Sequence, residues 1–128
     1  MIRTMCRSLA APSLFALLAF SVPAMAQDPC IVPYSPTVPK GETATQEQIN
    51  ASRADVLKFI SVSDEYQACL NRYLAQVEET AKRDNVLVEP RVRAAIVAKG
   101  EANQREKERV GNEFNGTLRA FRAAHPAP

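Results

Sequence analysis

The sequence predicts an all-α protein: an antiparallel two-helix hairpin of coiled-coil character, with a proline-rich N-terminal arm folded back along helix one. Three observations carry that expectation. Apolar residues recur every three or four positions over residues 49–81 and again over 92–121, which is the period of one helix face. The segment 84–89 between those stretches breaks both patterns, and Pro90 then suits the first turn of a new helix. Upstream, Pro29, Pro33, Pro36 and Pro39 rule out a helix, because each removes an amide donor and fixes φ.

Residues 1–26 read as a secretory signal peptide. Arg3 and Arg7 give a positive start, residues 9–22 form an apolar run, and Ala24 and Ala26 flank Met25 as an A-x-A cleavage site. A membrane anchor needs roughly 20 apolar residues; this run is shorter and contains Pro12. No cysteine follows the cleavage site as in a lipoprotein, and no later segment is apolar enough to span. The expected product is exported, periplasmic or secreted, with no membrane span after cleavage. Without residues 1–26 the chain has 102 residues, and with Arg3 and Arg7 gone its 14 basic groups balance 14 acidic ones. A neutral domain of this size gives no sign of a nucleic-acid partner.

Residues 27–44 read as an extended, polyproline-like arm. Helix one is expected over 45–84. Thr45 and Gln48 have the spacing of a capping box, followed by Ile49, Val56, Phe59, Ile60, Tyr66, Leu70, Tyr73, Leu74, Val77 and Ala81, with Ser63 keeping the phase. Helix two is expected over 90–124, with Val92, Ile96, Val110, Phe114, Leu118 and Phe121 on one stripe. Lys99, Asn103 and Glu106 interrupt that stripe, and Gly100, Gly111 and Gly116 each cost about 1 kcal/mol against alanine in a helix interior. Helix two therefore depends on packing against helix one. The tail 125–128 should fray.

Charge favours the antiparallel pairing. Residues 46–90 carry a net charge of −3 and residues 91–128 a net of +4. With a turn near residue 87, facing positions should sum to about 174, setting Val56 near Leu118, Ile60 near Phe114 and Val77 near Val97. The polar middle of helix two then falls opposite Tyr66, Leu70 and Tyr73, and the two tyrosine hydroxyls could serve Asn103 and Glu106.

Cys30 and Cys69 are the two cysteines of the exported chain, and in an oxidising compartment they are expected to pair. Cys69 lies about 36 Å along helix one from Thr45 at ~1.5 Å per residue, and an extended arm from Thr45 reaches about 46 Å at ~3.1 Å per residue. The bridge closes only if the arm runs back antiparallel to helix one, where Ile31, Val32, Tyr34 and Val38 could form a third apolar layer. Residues 66–70, YQACL, resemble a cysteine-bearing helix of small periplasmic lysozyme-inhibitor-like domains. The likeness spans five residues and lacks the further cysteines of those domains, so no property is taken from it.

Catalytic signatures are sparse. A thiol nucleophile wants a base, and the one histidine is His125 near the C-terminus. Asp64–Glu65 and Glu78–Glu79 are paired carboxylates, but neighbours on a helix diverge by about 100° and read as a solvated face. The run 104–109, QREKER, reads the same way. No metal site and no cofactor is expected. The sequence thus points to a non-enzymatic envelope interaction or accessory protein, alternatively a chaperone-like or enzyme-inhibitor protein that binds exported clients. The expected partners are another protein or a second copy of the chain.

Overall fold

The polypeptide of the computed structural model is described over residues 29–126, so the leader segment 1–26 and the last two residues lie outside that range. Two helices form an all-α hairpin: α1 (Gln46–Arg83) and α2 (Pro90–Ala124). Thr45 starts α1 with a reciprocal cap. Its Oγ1 accepts from the Gln48 amide at 3.2 Å, and Gln48 Oε1 accepts from the Thr45 amide at 2.8 Å. The buried positions Ile49, Ser52, Val56, Phe59, Ser63, Tyr66 and Leu70 then alternate by three and four, the spacing of a left-handed coiled-coil seam.

Helix α1 stops at Arg83 through backbone chemistry. Asn85 adopts φ 53°, its amide donates to Lys82 O, and the Val86 amide donates to Ala81 O at 2.9 Å. These two bonds make a Schellman motif with asparagine in place of the usual glycine. Residues 86–89 are non-helical, with Glu89 extended at ψ 126°. Such residues advance about 3.3 Å each against 1.5 Å in a helix, so the chain runs back beside the last turns of α1 before α2 begins. The pairs Arg93–Glu78, Gln104–Gln67 and Lys107–Asp64 all sum to 171 in residue number. The expected sum of 174 is thus too high by nearly one turn at these pairs, and by about two at Gln67–Gly100 and Asn103–Ser63, which sum to 167 and 166; the extended return shifts α2 in that direction.

That shift changes what the polar middle of α2 meets. Asn103 Nδ2 donates to the Ser63 carbonyl at 3.1 Å, not to a tyrosine hydroxyl. Glu106 is met by the arm instead. The core accordingly falls into two clusters. One joins Cys30, Tyr66, Leu70 and Ile96, with Cys69, Tyr73 and Leu74 packed against them. The other joins Val56, Phe59, Val110 and Phe114, with Val38, Ile60 and Leu118 around them.

The arm follows a three-residue period, that of a polyproline helix. Cys30 is buried and Pro33, Pro36 and Pro39 are half-buried on one face, while Ile31, Tyr34, Thr37 and Lys40 are exposed on another. Ser35 and Val38 are half-buried on the third face, toward α2. The expected third apolar layer is therefore mostly absent. Ile31, Val32 and Tyr34 are 86%, 70% and 88% exposed, and only Val38 joins the core. With Cys30 and the prolines turned inward, the period sends Ile31 and Tyr34 outward.

The arm ends in a close anchor on α2. Thr117 Oγ1 donates to Pro39 O at 2.8 Å. A Cβ on Gly41 would sit 2.2 Å from Thr117 O and 2.7 Å from Phe121 N, so only glycine permits this approach. At the far end His125, expected in a frayed tail, turns back onto α2. Its ring stacks on Phe121 with centroids 4.4 Å apart, and its Nδ1 and backbone amide each lie 3.0 Å from the Phe121 carbonyl.

Gly41→Ala is expected to destabilise the protein by about 1–3 kcal/mol, because the atoms it meets are two backbone atoms and the Ala120 Cβ, none of which can swing away. A lowered urea midpoint checks this, and an unchanged midpoint would show that the anchor is slack.

Candidate functional site: the arm and its seat

The site is built around the strap that the arm makes over the two helices. Cys30 and Cys69 are joined, with sulfurs 2.08 Å apart and Cα atoms 5.8 Å apart, closing a separation of 39 residues. Pairing follows from placement. The extended arm leaves Gly41 and brings Cys30 to the outward flank of the α1 seam, where Cys69 sits one residue before buried Leu70. In the chain-entropy account such a loop closure stabilises by about 4 kcal/mol.

Between the two ends a polar clasp holds the arm. Ser35 Oγ donates to Glu106 Oε1 at 2.5 Å. Arg109 grips the same carboxylate through Nε at 2.9 Å and Nη2 at 2.7 Å, and reaches Glu113 through Nη1 at 2.6 Å. The Arg109 guanidinium, with help from the Ser35 hydroxyl and against a smaller burial effect, holds the Glu106 carboxyl down at about 2 from the usual 4.5. At the edge of the seam, Gln67 Nε2 donates to Gly100 O at 3.5 Å and to Gln104 Oε1 at 3.3 Å. Lys107, its side chain only 17% exposed, pairs with Asp64.

The acidic pairs and the run 104–109 thus act as cross-links. Asp64 and Glu78 tie α1 to Lys107 and Arg93, and Glu106 seats the arm. Tyr66 is buried beside Cys30, and Tyr73 packs against the same cluster. Among the described residues no three of His, Cys, Asp or Glu converge as metal ligands would, and no helix is long and apolar enough to cross a membrane.

Two depressions border the strap. The larger, about 560 Å³, lies between arm and α1, lined by Pro33, Tyr34, Pro36, Thr37, Asp55, Lys58, Phe59 and Val62. A smaller one on the α2 side, about 160 Å³, includes Val32, Tyr66, Lys99 and Glu106. Sequence reasoning found the two cysteines, but turned Tyr34 inward, gave Glu106 a tyrosine partner and passed over Gly41. The three-residue spacing of Cys30, Pro33, Pro36 and Pro39 was the signal that could have exposed Tyr34. No family model, curated protein or solved structure matches this chain. What the strap does has to be argued from its own chemistry.

The clasp makes the stability pH-dependent. Because folding lowers the Glu106 pKa, its contribution is complete above about pH 4.5 and is lost as pH falls toward about 2. Urea midpoints measured across that window should fall more steeply for the native chain than for Glu106→Gln. Parallel slopes would show that the clasp carries no such linkage.

Proposed function

We propose that this is a small exported, disulfide-stapled helical protein of the bacterial envelope that works by binding another protein and not by catalysis. The observation that carries the reading is the ridge formed by Ile31, Val32 and Tyr34, large apolar side chains held outward on a strap fixed at Cys69 and at Gly41. A locked strap presents such a ridge with little ordering entropy left to lose on binding. The disulfide and the leader pattern of residues 1–26 support export to the periplasm or beyond. Both cysteines of the exported chain are committed to the bridge, and His125 is occupied at the end of α2.

A second reading, a chaperone-like protein or an enzyme inhibitor, is favoured by the hairpin tip. There Leu87 is 97% exposed and Val86 beside it is also largely bare, a protruding apolar loop suited to a client or a cleft. Protection of an aggregating exported protein that disappears with Leu87→Ser would support it, and no protection at molar excess would remove it.

The main reading is tested by affinity capture from envelope extract with the oxidised chain and with Ile31→Ser/Tyr34→Ser. A partner retained by the native chain and lost by the variant is the expected result. Equal recovery by both, or recovery of neither, contradicts binding through the ridge. Sequencing the purified native chain should find Gln27 at its N-terminus, and an uncleaved chain in the cytosol would contradict export.

A further inference from the structure

The groove between arm and α1 has properties of a surface made to meet its own copy. Its floor is apolar, built from Phe59 and Val62 on α1 with Pro33 and Pro36 on the arm. Directly on its edge stands Tyr34, 88% exposed, with Ile31 one polyproline turn before it. A projection beside a depression on one face is what a two-fold interface requires, since each copy offers the knob that the other needs to fill its hole. A tyrosine ring buries on the order of 150–250 Å² when it docks, and a groove of about 560 Å³ has room for one.

The charges fit the same operation. Asp55 and Lys58 both line this groove, one turn apart on α1. Neither makes an ion pair within the chain among the described residues, so both are open to a partner. A two-fold axis through the groove lets Asp55 of each copy face Lys58 of the other, two pairs from two residues. An unrelated partner would have to supply both signs in the opposite order.

We propose that the arm–α1 groove is a self-association surface, in which Tyr34 of one chain fills the Phe59–Val62 groove of a second and Asp55 pairs with Lys58 across the axis. The proposal rests on the binding role of the strap and names its partner as another copy. It places the contact on the outer side of the strap and not on the hairpin stripe, which the two helices and the arm use internally. Few side chains contribute, so the interface belongs to the small, reversible class below about 1,200 Å².

Sedimentation equilibrium of the oxidised chain from ~1 µM to ~1 mM tests this, a range that brackets weak interfaces. Dimers should populate within it, and Tyr34→Ala should weaken association by at least tenfold. Asp55→Lys and Lys58→Asp should each weaken it, and the double exchange should recover most of the loss, a rescue that no folding defect mimics. All three positions are surface ones, and circular dichroism confirms the fold of each variant. A chain that stays single throughout the range overturns the proposal. So does a dimer indifferent to Tyr34 and to the charge exchange, which would place the contact elsewhere. If the chain is single but envelope capture still depends on Ile31 and Tyr34, self-association fails while the binding role stands. If both fail, the ridge has neither role.

Discussion

The bond between Cys30 and Cys69 decides how the rest of this molecule can be built. Two helices of 38 and 35 residues meet along a seam whose middle is poor in apolar side chains. Ser52 and Ser63 occupy seam positions on α1 with hydroxyls that find no partner, and Gly100, Asn103 and Lys107 lie across from that part of α1. Buried hydroxyls left unpaired cost free energy, and glycines in helices add more. The tethered arm supplies what the seam lacks. It places Cys30 in one apolar cluster, Val38 in the other, and Ser35 on the polar stretch between them. Two separate small cores become one continuous structure because a third strand of chain crosses both.

The same arrangement explains why the outer face of the arm is available for recognition. A polyproline helix has three faces. Two of them are taken by α1 and α2, and the third carries Ile31, Tyr34, Thr37 and Lys40 into solvent. A strap fixed at both ends holds those residues in one orientation without a hydrogen-bonded sheet or helix to support them. On the proposed reading, binding and stability share one element, so a change that loosens the strap at Gly41 or Cys69 would act on both.

Much of this was legible in the residues. The two helices, their antiparallel order, the Thr45–Gln48 cap and the fold-back of the arm follow from local periodicity and chain length, which need no knowledge of the partner surface. The register was not, because it depends on how far residues 86–89 travel outside a helix. The shifted register gives Asn103 the Ser63 carbonyl in place of a tyrosine hydroxyl. The faces of the arm were also misread. Apolar content suggested that Ile31, Val32 and Tyr34 point inward, whereas the anchoring of Cys30 and the threefold period turn Ile31 and Tyr34 out. Gly41 looked like one more loop glycine, and its role appears only where its backbone touches Thr117 and Phe121.

The central claim is that the tethered strap holds the helices to each other, and amide hydrogen exchange of the oxidised chain against Cys30→Ser/Cys69→Ser tests it most directly. If the strap joins the two clusters, protection should fall together in the arm and in both helices around the polar seam. The loss should be about a thousandfold, the counterpart of ~4 kcal/mol of lost loop closure. Faster exchange confined to residues 30–41, with the seam amides of α1 and α2 unchanged, would mean that the helices stand without the strap, and would contradict the account.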